Sequence, residues 1–364
     1  MQEAKTPAEN DRLPLLDLLR FVAAAGVLLY HYVTCYVPAE VLGGSWLGSL
    51  SAVTRYGYLG VNGFFMISGF VILWSALSRD AVAFAIGRFS RLYPSFWVAV
   101  LLASMALLAV RGAFGVGDGP ELTLRTLLSN ATMLPSLLGA PRIDDVYWTL
   151  ELEIRFYALV FLILLFRQQR NAEWYLLGWL AILVSSNLFN LPRMLDFLFI
   201  TTYGQYFVAG GLFYMVRQEG WTWYRVLALA VSGVLCVVQA LEGRSDFITA
   251  DSASKLIVPV VVLLWFAAFL MLVAAPWAAR LGSWAIRLGG LTYPLYLTHA
   301  CIGALALKLL MPMFGATASL AVVIAGALVL AKLMVMLVDE PARRPTARLL
   351  NRIWSAVSGR GERT

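Results

Sequence analysis

The chain has 364 residues, of which 60% are apolar and only 13% are charged. Soluble globular domains carry about 45–50% apolar and about 25% charged residues, so this composition excludes both a soluble globule and an intrinsically disordered chain. The composition is typical of an integral membrane protein. We expect the net charge of +7 to set the topology and to attract anionic lipid headgroups, and we do not expect nucleic-acid binding.

The apolar stretches alternate with charged connections, as in a membrane protein with many spanning helices. Windows of roughly spanning length occur at 15–37, 58–78, 95–111, 147–166, 174–189, 197–215, 222–241, 256–275, 291–310 and 317–338. The sequence therefore predicts an all-α integral membrane protein with about ten transmembrane helices. Cytoplasmic placement of both termini puts 17 Lys and Arg inside and 8 outside, as the positive-inside rule requires.

Three regions are predicted along the chain. Residues 1–13 form a cytoplasmic N-terminal segment, which we expect to be retained because the first apolar stretch is too long for a cleaved signal peptide. Residues 14–340 form the transmembrane domain, and residues 341–364 form a cytoplasmic basic tail. The long outer connection 112–146 contains a weakly apolar run near 127–138, which makes it a candidate for re-entry into the membrane.

Cysteine spacing gives no sign of a metal site or a disulfide framework. Cys35, Cys236 and Cys301 lie in apolar stretches, without the short spacings of zinc ligands. We therefore expect no metal cofactor.

Predicted helix 1 carries ionisable residues within an apolar stretch, where each charge costs about 2.5–3.5 kcal/mol and needs a partner or a function. A uniform α-helix places Arg20 and His31 on one face, about 16 Å apart. Asp17, three residues before Arg20, can pair with it. Two interpretations remain open: a functional polar face, or Arg20 reaching lipid headgroups while His31 hydrogen-bonds between helices.

Predicted helix 2 is rich in small residues. Gly60, Gly63, Ser68 and Gly69 favour close helix packing over chemistry. Ser68 also lacks the strand–turn–helix context of a hydrolase nucleophile.

The inner loop 79–94 carries Arg88 and Arg91 on a helical turn that we expect to end at Pro94. Two arginines at this spacing suit a phosphate-bearing ligand. Anchoring to lipid headgroups is the alternative.

Predicted helix 4 opens with three charges among five residues. Glu151 and Arg155 are four residues apart and are expected to pair. Glu153 faces elsewhere and needs a partner from another helix, through either a structural hydrogen bond or a catalytic role. In predicted helix 9, His299 is interpreted as a packing residue.

Taken together, these segments resemble the membrane acyltransferase-3 family, over residues 14–345. The resemblance rests on six motifs in the family's order, which are Leu16–Ala24 with His31, Gly60–Gly69, Arg88–Pro94, Trp148–Tyr157, Tyr293–His299 and Glu340 with Pro341. Each motif is weak alone, whereas the ordered set on a ten-helix pattern is specific. It favours the functional interpretation of His31.

The resemblance implies an O-acyltransferase of the bacterial inner membrane. Such an enzyme takes an acyl group, commonly acetyl, from cytoplasmic acyl-CoA and transfers it to a hydroxyl of a glycan or glycolipid such as exopolysaccharide or O-antigen. A macrolide or another small hydroxylated metabolite is an alternative acceptor. The chain is similar to the stand-alone form, without the C-terminal hydrolase-like domain of some relatives. It would complete the acyl transfer itself or use a polysaccharide assembly partner. Assembly into a homo-oligomer is a further alternative.

The residues in these motifs have predicted roles in catalysis, in donor binding and in substrate binding. A hydroxyl acceptor benefits from a general base with a pKa near neutrality, and we assign that role to His31. Arg20 is predicted to hold the donor, and Glu153 to orient His31 or to bind acceptor hydroxyls. Arg88 and Arg91 are predicted to bind CoA phosphates. The predicted substrate-binding residues are Trp148, Tyr157, Asn62 and Ser68.

Two other classes of function remain. Ten helices with intramembrane Arg, Glu and His also describe a proton-coupled glycan or lipid transporter, although the sequence shows no inverted repeat. A catalytically inactive partner of an assembly complex is the second alternative, and the presence of His31, Arg20 and Glu153 argues against it.

Overall fold

The computed structural model describes residues 13–114, 119–189, 191–242, 252–274 and 282–358. All regular secondary structure in these ranges is helical, which agrees with the predicted all-α membrane protein. The predicted N-terminal segment 1–13 lies, apart from Leu13, outside the described residues. So do parts of the predicted connections 112–146 and 276–290 and the end of the basic tail.

The helices follow one another along the chain with short connections. They are α1 (Pro14–Leu29), α2 (Ala39–Leu42), α3 (Trp46–Thr54), α4 (Gly60–Ala76), α5 (Ala81–Phe114), α6 (Leu124–Ala131), α7 (Trp148–Leu165), α8 (Ala172–Leu188), α9 (Arg193–Phe199), α10 (Gly204–Glu219), α11 (Trp223–Glu242), α12 (Ser252–Ala274), α13 (Ser283–Thr298), α14 (Ala300–Met334) and α15 (Glu340–Val357). Two π-helical turns, Tyr30–Cys35 and Val335–Asp339, follow α1 and α14.

Each of the ten predicted windows overlaps one of these helices. Within the described ranges, six helical stretches are long and apolar enough to cross a membrane, which are Pro14–Cys35, Trp46–Ala76, Ala81–Gly112, Trp223–Glu242, Ser252–Ala274 and Ala300–Val357. Of the other windows, 147–166 and 174–189 fall on α7 and α8, and 197–215 reaches from α9 into α10. The window 291–310 crosses from α13 into α14, a helix that is interrupted at Gly315. Ten spans and cytoplasmic termini therefore remain predictions.

The chain forms two compact units. The first comprises Met1–Val27, Arg55–Asp80 and Leu152–Gly289, and the second comprises Leu28–Thr54, Ala81–Glu151 and Gly290–Thr364. In the first unit, α4 packs closely against α10. A Cβ atom on Gly69 would lie 2.1 Å from the Phe207 carbonyl oxygen, so only glycine permits this approach. The predicted packing role of small residues in predicted helix 2 is confirmed at this position.

In the second unit, α5 continues through Pro94 to Phe114. The prediction that the turn carrying Arg88 and Arg91 ends at Pro94 is therefore wrong, and both arginines belong to a long helix. A proline removes one backbone donor from a helix but does not always end it.

The connection after α5 returns along this helix. The Tyr93 hydroxyl donates to the Thr132 carbonyl oxygen over 3.1 Å, and Trp97 Nε1 donates to the Ala131 carbonyl oxygen over 2.9 Å. At 1.5 Å per residue, the helix between Tyr93 and its end at Phe114 is about 30 Å long. The apolar run near 127–138 contributes to α6 and the turn that follows it. The connection therefore packs back against α5, and its re-entry into the membrane stays a prediction.

Candidate active site

His31 lies in the π-helical turn that follows α1. The backbone N–H of Tyr36 bonds to the His31 carbonyl oxygen over 3.0 Å, five residues back instead of four. The prediction that Arg20 and His31 share a face assumes a uniform α-helical rotation per residue. That uniform rotation ends at Tyr30, where the π-helical turn begins. Such turns are rare and are frequently found at functional sites.

His299 lies at the junction of α13 and α14 and is 1% exposed. Its Nε2 atom is 3.0 Å from Nδ1 of His31, and its own Nδ1 atom is 2.9 Å from the Tyr296 carbonyl oxygen. The sequence suggested packing as its role. The structure instead places it in direct contact with the predicted general base, 268 positions away in the chain.

These two contacts determine which ring nitrogens carry protons. A carbonyl oxygen only accepts hydrogen bonds, so Nδ1 of His299 is the protonated nitrogen and its Nε2 is the acceptor. His31 must then donate from Nδ1 to His299. A neutral His31 consequently has its lone pair on Nε2, the form that a general base needs.

A close approach between the π-helical turn and the start of α14 holds the two histidines together. A Cβ atom on Gly303, one turn after His299, would lie 2.3 Å from the Tyr32 hydroxyl oxygen. The ring of Tyr32 lies 6.5 Å from that of His299, centroid to centroid. Gly303 therefore lets the turn that carries His31 reach the helix that follows His299.

Asp144, which the sequence reasoning missed, fixes the start of α14. Its carboxylate is 3% exposed and accepts the backbone N–H groups of Cys301, over 2.8 Å, and of Val146, over 3.2 Å. Asp144 lies outside the predicted spans, and burial raises its pKa to about 6 while the two N–H groups act in the opposite direction. The sequence signal that could have identified Asp144 is its position just before the Trp148–Tyr157 motif.

The start of α7 is attached to α13 by two hydroxyl contacts. The Tyr147 hydroxyl donates to the Leu297 carbonyl oxygen over 3.2 Å, and Thr149 Oγ1 is 2.8 Å from the Tyr296 hydroxyl oxygen. Trp148, a predicted substrate-binding residue, lies between these two anchors and is half-buried. The chain on both sides of Trp148 is thus tied to the segment that carries His299.

Glu151 does not pair with Arg155 as the sequence predicted. Its carboxylate accepts a forked contact from Arg142, whose Nε and Nη2 atoms are each 3.2 Å from a different carboxylate oxygen. Arg155 lies over the Phe197 ring, 4.1 Å from its centroid, and donates to the Phe197 carbonyl oxygen. Arg142, and not Arg155, is therefore the partner of Glu151.

Arg88 and Arg91 are half-buried on α5, in the same unit as the two histidines. The next residue, Leu92, accepts a hydrogen bond from the Tyr293 hydroxyl over 3.0 Å. Tyr293 precedes His299 by six residues, which corresponds to about 9 Å along a helix. The arginine turn is therefore connected to the histidine pair through α13.

The first unit contains the remaining predicted site residues. Arg20 Nη1 is 3.0 Å from Asp17 Oδ1, which confirms that pairing. Glu153 accepts hydrogen bonds at Oε1 from Ser68, over 2.6 Å, and from Tyr157. The prediction that Glu153 needs a partner from another helix is confirmed by Ser68 on α4.

Asn62 belongs to a separate buried network in this unit. It is 5% exposed and donates from Nδ2 to the Tyr206 hydroxyl over 2.8 Å. The substrate-binding roles of Asn62, Ser68 and Tyr157 remain predictions. Among the residues that the structure describes, no group of three or more His, Cys, Asp or Glu side chains could hold a metal ion.

Comparison with known proteins identifies the class of this protein. A sequence model described as an acyltransferase domain, the acyltransferase-3 type, matches residues 13–336. The chain therefore belongs to this acyltransferase family.

Two curated relatives are similar to parts of the chain. Acyltransferase MdmB of Streptomyces mycarofaciens is 30% identical over 159 residues, which are 42% of this chain and 39% of the relative. Nodulation protein 10 of Rhizobium leguminosarum bv. viciae is 29% identical over 171 residues, which are 43% of this chain and 46% of the relative. The matches thus span less than half of either relative. No solved structure matches the chain significantly.

Proposed function

We propose that this acyltransferase moves an acetyl group from cytoplasmic acetyl-CoA to a hydroxyl of a glycan or glycolipid, such as exopolysaccharide or O-antigen, at the bacterial inner membrane. The observation that carries the proposal is the pair of His31 and His299, in which a buried imidazole directs the lone pair of His31 to Nε2. This is the arrangement of a base oriented by a second group.

In the proposed reaction, Nε2 of His31 takes the proton of the acceptor hydroxyl while the hydroxyl oxygen attacks the thioester carbonyl. The carbon–sulfur bond then breaks, and the CoA sulfur leaves with the proton that His31 has held. His299 accepts a hydrogen bond from Nδ1 of His31 throughout and thereby stabilises the imidazolium form. General-base catalysis of this kind contributes about 10²–10⁴-fold to the rate.

Arg88 and Arg91 are the proposed ligands of the CoA phosphates. Both are cationic and half-buried, and they precede the α5 residue that Tyr293 contacts. The diphosphate end of the donor would lie at this turn, with the acyl end directed along α13 towards the histidines. Arg20 as a donor ligand and Glu153 as an acceptor ligand or orienting group remain proposals that rest on the family motifs.

A second class of acceptor is compatible with the same chemistry. A macrolide or another small hydroxylated metabolite is the second candidate, and the names of the two relatives do not favour either class for this chain. Membership of an acyltransferase family disfavours the alternative of a glycan or lipid transporter.

The test uses purified protein in detergent with acetyl-CoA and candidate acceptors. We expect release of free CoA thiol that depends on the acceptor, together with an acceptor mass increased by one acetyl group. Omission of the acceptor separates transfer from thioester hydrolysis, and His31→Ala protein controls for contaminating activity. Transport of a glycan without thiol release from any acyl-CoA would contradict the proposal.

A further inference from the structure

The last helix, α15 (Glu340–Val357), has a basic stripe. Arg344, Arg348 and Arg352 follow one another every four residues, so their side chains lie within an arc of about 80°. All three are exposed. The helix contains one acidic residue, Glu340 at its start, which lies four residues before Arg344, so the helix has no carboxylate beside Arg348 or Arg352.

An apolar stripe runs along another side of the same helix. Leu349, Ile353 and Val357 also recur every four residues and are 58%, 50% and 77% exposed. The centres of the two stripes, Arg348 and Ile353, are separated by about 140° around the axis. Trp354, which is 45% exposed, lies beyond Ile353 on the apolar side.

The start of α15 is fixed to α5, whereas its end is open. Asp339, which is 3% exposed, pairs with Arg343 and accepts a hydrogen bond from Ser95 over 3.2 Å. From Asn351 to Ser358 every residue is exposed. The π-helical turn Val335–Asp339 connects α15 directly to α14 within one candidate spanning stretch, Ala300–Val357. Because the charged residues of this stretch are concentrated in α15, we expect the membrane surface near the start of α15.

We propose that α15 lies on the membrane and binds anionic lipid headgroups. Its apolar stripe enters the boundary between headgroups and acyl chains, and the three arginines contact the lipid phosphates. A helix with an exposed apolar face, a basic polar face and a tryptophan has the composition of an interfacial helix. The net positive charge of the stripe complements an anionic membrane leaflet. This charge favours a lipid surface as the partner over an uncharged groove on another protein.

The experiment uses full-length protein without its native cysteines and with one cysteine at Ile353, labelled with an environment-sensitive fluorophore. A matched variant carries the label at Asn351, which is exposed and about 200° around the helix from Ile353. Both are placed in nanodiscs of phosphatidylcholine alone or mixed with phosphatidylglycerol. We expect blue-shifted emission and quenching by lipid-attached quenchers at position 353 only, strengthened by phosphatidylglycerol and weakened by salt.

Replacement of Arg344, Arg348 and Arg352 by Gln should remove most of the dependence on phosphatidylglycerol at position 353. The same emission wavelength at both positions would overturn the proposal. So would an emission wavelength at position 353 that does not change with lipid charge or salt. A blue shift of the emission at position 353 in detergent that grows with protein concentration would also overturn the proposal. The stripe would then bind a second copy of the chain.

Discussion

Nδ1 of His31 and Nε2 of His299 are 3.0 Å apart, and these two residues are the only histidines in the chain. Because His299 uses Nδ1 to bind a carbonyl oxygen, a proton on its Nε2 would face the N–H of His31. The pair therefore accommodates one additional proton, on Nε2 of His31, before like charges oppose each other.

Replacement of His31 by Ala should abolish transfer and leave the protein folded. The substitution removes the nitrogen that accepts the proton of the acceptor hydroxyl, so kcat should fall about 10²–10⁴-fold. Thiol release measures the rate, and size-exclusion chromatography in detergent checks the fold. Retention of activity within about threefold of the parent would remove His31 as the base.

Replacement of His299 should lower kcat in a way that depends on the new side chain. His299→Ala removes the acceptor for Nδ1 of His31, and we expect a loss of about tenfold or more. The Gln side chain can still accept a hydrogen bond through its carbonyl oxygen, so His299→Gln should recover part of the rate with little change in KM for acyl-CoA. Equal losses in both variants would indicate a packing role.

Arg88→Gln and Arg91→Gln should each raise KM for acyl-CoA roughly tenfold, since each loses a charge-assisted contact to phosphate. The acceptor KM should stay unchanged. Arg170→Gln is a suitable control, because this exposed arginine lies in another predicted inner loop. An altered acceptor KM with an unchanged donor KM would assign the two arginines to the acceptor or to lipid.

Asp144 should make stability depend on pH in an unusual direction. Its pKa in the folded protein, about 6, is above the value of about 3.9 expected for unfolded chains. The carboxyl group therefore favours folding most at low pH, and about 3 kcal/mol of that contribution is lost as pH rises from roughly 4 to above 6.

Thermal unfolding of the parent and of Asp144→Asn in detergent, compared across this pH range, tests this expectation. With rising pH, the parent should lose stability relative to the variant. Glu121→Gln, at an exposed position of the same connection, is the control and should run parallel to the parent. A constant difference between the parent and Asp144→Asn would contradict the expectation.

Cysteine labelling in intact cells should show the sidedness of the protein. Ser90 would be the obvious position in the predicted inner loop 79–94, but it is 6% exposed, so Ser78 in the adjacent turn is used instead. Ser136 would be the obvious outer position, but Thr132, four residues earlier, contacts Tyr93 about 30 Å before the end of α5. Glu121 is exposed and follows Gly119 and Pro120, which contact Arg111 near that end, so it is used instead. In a background without native thiols, an impermeant maleimide should label Glu121→Cys and spare Ser78→Cys. The opposite pattern would invert the topology and remove Arg88 and Arg91 from cytoplasmic CoA.

The sequence by itself determined the class of protein and most of the helices. Apolar windows and charge asymmetry are local properties of a chain, because a spanning helix satisfies its own backbone hydrogen bonds. The ordered motifs likewise indicated the acyltransferase family and selected His31. The pairing of Asp17 with Arg20 was also accessible, since residues three apart on a helix are neighbours.

Tertiary structure alone decided the contacts between distant segments. No local pattern connects His31 to His299 or Asp144 to Cys301, because each pair joins segments that are adjacent only after folding. Glu151 receives a forked contact from Arg142, whose position beside Glu151 depends on the path of the returning connection and not on helix periodicity. The π-helical turn at Tyr30–Cys35 replaces the α-helical hydrogen-bond pattern from Tyr30 onward, and a prediction that assumes a constant rotation per residue does not include that change.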